Sequence, residues 1–202
     1  MKRTLLLSVM FLALMSAGIK DPLTNKERKF ATDYLKKTEL ALRSSIKGLS
    51  EAQLKYKPAP DKWSIEDCIK HIAMSEMGLW QMTDSVINKT ANPEKRAEIK
   101  ASDDEIIKMI ADRSFKAQAS EPLQPQNTPF TSHSDALESV KQSRQKLITY
   151  IKNTDNDLRN HVVELPFGHF DSYQMILFIG GHSERHTAQI NEVKADPGFP
   201  KN

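Results

Sequence analysis

The fold is restricted most by a series of long stretches in which apolar residues recur every three or four positions. Most of these stretches open on a helix-capping signal. Behind Thr24-Asn25-Lys26-Glu27, residues Phe30, Tyr34, Thr38, Ala41, Leu42 and Ile46 share one face. Behind Ser64, with Asp67 three positions on, Ile65, Ile69, Ile72, Leu79, Thr83 and Val86 do the same. Leu137, Val140, Leu147, Ile148 and Ile151 mark a third stripe, with Arg144 beside it. Asp171-Ser172-Tyr173-Gln174 opens a stretch that runs to Asp196-Pro197-Gly198. A shorter one follows Ser102-Asp103-Asp104-Glu105 and carries Ile106, Ile107, Met109, Ile110 and Phe115. A period near 3.6 behind a capping oxygen is helical, because the cap satisfies N–H groups that the first turn leaves unpaired. No segment alternates with the period of two that a half-buried strand needs. The chain is therefore expected to be all-α, with helices over about 24–47, from 64, over about 134–152, and from 171.

Between these stretches lie connections. Residues 50–62 contain Pro58, Pro60 and Asp61 and read as a link; Trp63 after them should pack onto the first turns of the next helix. Asn92-Pro93 begins a short helical piece, since proline suits a first helical position, and an extra helical segment is expected at about 93–120. Residues 121–133, with three prolines, form a crossing loop too short for a domain linker. Residues 157–171 read as a loop or tight turn pair, with His161 and His169 as surface or loop residues. Arg144, so close to an apolar stripe, should snorkel or pair with a carboxylate.

At 202 residues the chain has room for one domain with a real core. Its first 18 residues stand apart. Lys2 and Arg3 precede an uncharged apolar run from Leu5 to Ala17, and Ser16 and Gly18 suit a cleavage site. That is the pattern of a secretory signal peptide, and periplasmic or secreted localisation is expected. Its removal takes away Lys2 and Arg3, so the formal charge falls from +3 to +1. A nearly neutral domain offers no electrostatic case for nucleic-acid binding. The single cysteine, Cys68, cannot form an internal disulfide and should pack as a small hydrophobe.

Chemistry concentrates in Gly180-Gly181-His182-Ser183-Glu184-Arg185-His186-Thr187-Ala188-Gln189-Ile190. His182 and His186, four apart on a helix, lie one turn apart on one face, together with Met175, Ile179, Ile190 and Val193. The pair thus points inward, where two imidazoles can share a metal ion. Two hydrogen-bonded core histidines would show the same spacing. The metalloprotease pattern is excluded: Ser183 follows the first histidine, and Glu184 projects to the opposite face. A third ligand has to come from elsewhere in the chain. Spacing alone places His71 at the edge of its stripe, beside Cys68 and Ser75.

Three pieces together resemble the DinB-like (DinB/YfiT) superfamily of metal-dependent enzymes. They are Trp63-Ser64-Ile65 leading to Lys70-His71-Ile72, the turn Gly168-His169-Phe170-Asp171, and His182-Ser183-Glu184-Arg185-His186 followed by Gln189. The resemblance implies a four-helix bundle over about 22–197, with a long connection between the second and third bundle helices. It also implies a divalent metal held by His71, His182 and His186. By ligand type Zn²⁺ fits best, with Ni²⁺, Mn²⁺ and Fe²⁺ open. Three imidazoles leave a coordination position for water and substrate. The expected function is a metal-dependent hydrolase or transferase acting on a small molecule. The alternative is a non-catalytic, exported metal- or ligand-binding domain. An export leader departs from the better-understood relatives, which act on thiol cofactors inside cells. No general base is evident, since Gln189 cannot take a proton at neutral pH and Glu76 lies away from His71 on its helix. The expected partners are the small-molecule substrate and, at most, a second copy of the chain in a homodimer.

Overall fold

The computed structural model describes residues 22–116 and 118–201. The leader expected over residues 1–18 lies outside the described residues. Four long helices form the bundle: α1 (Asn25–Ile46), α3 (Ile65–Ile87), α5 (His133–Asn153) and α6 (Ser172–Lys194). Two shorter ones accompany them, α2 (Glu51–Lys55) and α4 (Asp103–Ala111). The capping boxes at Thr24, Ser64, Ser102 and Asp171 all form as the sequence dictates. Both α1 and α3 pack against α5 on one side and α6 on the other, and α4 lies against α6. The connection between α3 and α5, the second and third bundle helices, is the long one expected. Among the described residues no helix is long and apolar enough to cross a membrane.

Several local expectations need correction. Residues 50–62 are not wholly a link: Ser50 and Gln53 form a further capping box around the five-residue α2. A single turn and a half is too short to display an amphipathic period. The segment 93–120 divides into a 3₁₀ helix, Pro93–Glu98, and α4, which stops at Ala111. Asp112 ends it by accepting hydrogen bonds from the Ser114 backbone N–H and hydroxyl instead of continuing the helix. Residues 157–171 contain a β-hairpin, β1 (Val162–Leu165) and β2 (Gly168–Asp171), antiparallel with Val163 opposite Phe170. Gly168, at φ 151°, takes a conformation open to glycine at the close of its two-residue turn. His161 is buried, its Nδ1 2.6 Å from Asp157 O and its Nε2 3.1 Å from Lys89 O. It lies outside helix and strand, as a loop residue does, but is a buried structural tie and not a surface one.

The core holds two larger apolar clusters along the bundle and a smaller one of Ile106, Val163, Phe170 and Met175 beside the hairpin. One of the larger two gathers Leu35, Ile151, Tyr173 and Ile176; the other gathers Leu42, Ile65, Ile72, Val140 and Ile190. Between them, in chain position on all four helices, lies a polar layer. Arg144 of α5 is fully buried there and pairs with Glu76 of α3, Nη2 to Oε1 at 2.6 Å and Nε to Oε2 at 2.9 Å. It also donates to Leu35 O and Thr38 Oγ1 of α1 and to Ile179 O of α6. One guanidinium therefore ties all four bundle helices, which is the pairing option of the sequence reading carried to full burial. Helix α6 is buried on every side from Ser172 to Gly181, which explains its adjacent glycines. A Cβ on Gly180 would stand 2.5 Å from Tyr34 Cε1, so glycine lets α1 close onto α6.

A second guanidinium holds the other end together. Arg159 reaches Glu27 in the α1 capping box, Asp103 at the start of α4, and the α6 N-cap Asp171, all at 2.7–2.9 Å. Three helix N-termini, each favouring negative charge, thereby share one compensating cation.

Candidate metal centre

The polar layer also carries the histidines. Helix α6 presents His182 and His186 from consecutive turns, and α3 presents His71 opposite them. One ring nitrogen from each of the three lies within 4.8 Å of the others. His71 Nε2 and His182 Nε2 are 3.2 Å apart. Two nitrogens on one tetrahedral ion at about 2.0–2.1 Å would stand about 3.3 Å apart, close to this edge. All three histidines singled out from the sequence are therefore brought together. His169 is not: it lies on β2, with Nε2 2.8 Å from Glu98.

Hydrogen bonds outside the cluster fix the rings. His71 Nδ1–H donates to the Leu123 carbonyl at 2.8 Å, so its Nε2 keeps a lone pair facing the other rings. His186 Nδ1–H donates to Gln189 Oε1 at 2.9 Å. That amide oxygen also accepts from Arg113 Nη1 at 3.3 Å, and Arg113 is held by both oxygens of Glu192. His182 Nδ1 is buried with no hydrogen-bond partner. Trp63 walls the cluster, its ring 4.8 Å from that of His71 and 5.9 Å from that of His186. Phe178 stacks on His182 at 6.4 Å.

Burial is also what sets their protonation. It pushes His71 below the ordinary histidine range and His182 well below it, the neighbouring imidazoles adding to the shift of His182. His186 is pushed down to about 3 by burial and then by His71. Three neutral imidazoles near neutral pH, two with the outward nitrogen committed to an acceptor, form a donor set suited to a divalent cation. Among the described residues no carboxylate or thiol joins the group. Cys68 packs in an apolar cluster, and burial pushes its thiol far up. Glu184 turns away to accept from Tyr34 Oη at 2.8 Å.

The histidines lie on the floor of a cleft of about 1150 Å³. Trp63, Phe167, Phe178, Met109 and Ile110 supply apolar wall, and the segment after α4 supplies much of the rim. Two contributors escaped the sequence reading. Leu123 acts through its carbonyl, on which a side-chain pattern is silent. Arg113 acts through Gln189, across 76 residues of chain.

The class of protein defined by these features is a four-helix bundle with a long second connection and three convergent histidines that could hold a metal ion. The family model of the DinB superfamily matches residues 34–190, and the chain belongs to that superfamily. It is similar to the uncharacterized protein YuaE of Bacillus subtilis (strain 168), at 28% identity over 152 residues, covering 75% of this chain and 89% of YuaE. Its fold is similar to that of YfiT from Bacillus subtilis, with a TM-score of 0.59 at 13% identity, covering 89% of this chain and 93% of YfiT. YfiT is described as a probable metal-dependent hydrolase with an unusual four-helix bundle topology.

Proposed function

We propose that the chain is a metal-dependent hydrolase of small molecules, with a divalent cation held by His71, His182 and His186. The observation that carries this reading is three neutral imidazoles converging at the floor of a cleft with no fourth protein ligand among the described residues. A structural zinc is normally closed by four protein ligands, whereas a catalytic one keeps a position open. Such an ion supplies Lewis acidity and lowers the pKa of bound water, which removes the need for a strong protein base. The chain's own groups do the rest. Leu123 O and Gln189 Oε1 hold two rings in the ligating tautomer. Trp63 and Phe178 exclude bulk water from the flank of the cluster. The similarity to YfiT supports hydrolysis over group transfer as the reaction class.

Elemental analysis of wild type and of His186→Ala tests the ligand set. One divalent ion per chain is expected in the first and less than about a tenth of that in the second, since a buried two-histidine remnant binds far more weakly. Equal metal in both would show the histidines to be packing residues. Hydrolysis of a panel of esters and amides, lost on chelation and restored by metal, tests the reaction class.

A further inference from the structure

The cleft that holds the histidines is lined by charged groups, most of which are already matched. Asp61 pairs with Lys62 at 2.7 Å. Glu192 pairs with Arg113 at 2.7 Å. Asp196 accepts from Tyr56 Oη and from the Gly198 N–H, and Asp112 accepts from both the backbone and the hydroxyl of Ser114. Two cations on the lining, Arg185 and Lys116, make no direct ion pair among the described residues, although Asp112 and Glu192 act on Arg185, and Glu192 on Lys116, at longer range. Arg185 donates one Nη2 hydrogen to the carbonyl of Phe115; among the described residues its other N–H groups have no acceptor, so one of the two paired N–H edges of the guanidinium, Nε with Nη2 or Nη1 with Nη2, stays open. It is half-buried, so its guanidinium has already lost part of its water.

Position makes this spare cation informative. His182, Arg185, His186 and Gln189 fall at i, i+3, i+4 and i+7, on one face of α6. Arg185 is therefore the next group along the cleft floor from the two α6 histidines. Apolar groups share the lining with it: Met109, Phe115 and Phe167, all three exposed. A fork of N–H donors beside an apolar wall, one helical turn from a reactive centre, matches a carboxylate on a hydrophobic body. A single negative charge suits the site better than a dianion, because Asp112 and Glu192 stand on the same rim.

We propose that the cleft selects small molecules bearing one carboxylate on an apolar body, and that Arg185, assisted by Lys116, receives that carboxylate. The proposal rests on reading the three histidines as the reactive centre, since it supplies the group that orients a substrate against them. Arg185 is a specificity residue in this account and takes no part in bond breaking.

The test measures binding, so that it stands apart from turnover. Isothermal titration of the full chain with phenylacetate, phenylacetamide and phenyl phosphate is compared in wild type, Arg185→Gln, Arg185→Lys, Lys116→Gln and His186→Ala, with and without chelation. Wild type is expected to prefer phenylacetate over phenylacetamide by about tenfold, as one charge-assisted fork contributes. Arg185→Gln should reduce that preference to less than about twofold, and Lys116→Gln should halve it. Arg185→Lys should retain part of it, which separates charge recognition from support of the Phe115 carbonyl. The preference should survive both chelation and His186→Ala. A preference that vanishes on chelation but persists in Arg185→Gln would mean the carboxylate ligates the metal, overturning the role of Arg185 while leaving the metal site standing. If untreated wild type takes up no divalent ion while the preference stands, Arg185 is upheld and the metal reading is overturned. Equal binding of acid and amide by wild type, or tighter binding of phenyl phosphate than of phenylacetate, overturns the proposal.

Discussion

Removing the carboxylate of Glu76 should be among the most damaging single changes in this bundle. Arg144 is 0% exposed and Glu76 2% exposed, and their two-point contact is the only carboxylate contact the guanidinium makes among the described residues. Its other acceptors are Thr38 Oγ1, which itself donates to Leu35 O, and the Leu35 and Ile179 carbonyls, which also serve the backbone bonds of their own helices. Glu76→Ala thus leaves a full charge in the core with only dipoles for company. Breaking a buried pair in this way costs about 3–5 kcal/mol. Replacing both partners, as in Glu76→Leu with Arg144→Met, removes the charge with its counter-charge. The double variant should fall within about 1–2 kcal/mol of wild type, because neither carbonyl is orphaned by losing the arginine. Urea unfolding at neutral pH, followed by far-UV circular dichroism, of wild type, Glu76→Leu, Arg144→Met and the double variant gives the four corners of the cycle, with Glu76→Ala measured beside them. A single-variant loss below about 1 kcal/mol would refute the reasoning, as would a double variant less stable than Glu76→Ala. The same pair bears on the metal centre: Glu76 is five residues beyond His71 on α3, and Ile179 is three before His182 on α6. Metal affinity should therefore fall in Glu76→Ala by about tenfold, the lower end of what lost support costs a metal site.

Gly180→Ala should destabilise by about 1–3 kcal/mol, although alanine is the better helix former. The new Cβ meets the Tyr34 ring at 2.5 and 2.8 Å, and that ring must move off α6 and away from Glu184. Thermal unfolding reads the difference, and a more stable variant would show that the two helices can separate freely. Acid should destabilise the metal-free protein earlier than carboxylate titration alone. His186 titrates near 6.5 when unfolded and about 3 when folded. Its depressed folded value gives stability that is complete above about pH 6.5 and lost as pH falls toward about 3. By pH 5 the loss from this residue is about 2 kcal/mol. Urea unfolding of chelated wild type and His186→Gln across that window should show the slope in the first and a shallower one in the second.

Helix positions were legible because their causes are local. Thr24, Ser64, Ser102 and Asp171 each cap from within four residues of sequence, and each forms the cap expected of it. The histidine pair was legible for the same reason, since i,i+4 spacing is a property of one helix. What escaped notice depends on distant segments. His161 looks like a loop residue because its partners are two carbonyls, one of them 72 residues away. The hairpin strands are four residues each, too short for alternation to register, and Phe170 is recruited by Ile106 and Met175 after folding. Arg159 stands in a polar stretch with no period at all. Its importance exists only once three helix starts converge on it. His71 was an edge residue by periodicity, and the family resemblance, not the spacing, singled it out as a third ligand.

That last case shows what holds the centre together. Two of the three imidazoles are placed by a single helix and need no tertiary structure to face the same way. The third is placed only if α3 and α6 keep their relative height and rotation. The groups that fix this are polar and buried: Glu76 on α3, Arg144 on α5, and the Ile179 carbonyl on α6. An apolar layer at this level would allow the helices to slide by small repackings, because hydrophobic contact is not directional. A bidentate ion pair with further donors aimed at two other helices permits far less movement. The same layer admits Leu123 O from the α3–α5 connection, which sets the His71 tautomer. The relative placement of the three imidazoles is thus decided by long-range polar contacts and their neutral state by burial, while the apolar clusters on either side supply the stability that lets such a layer persist.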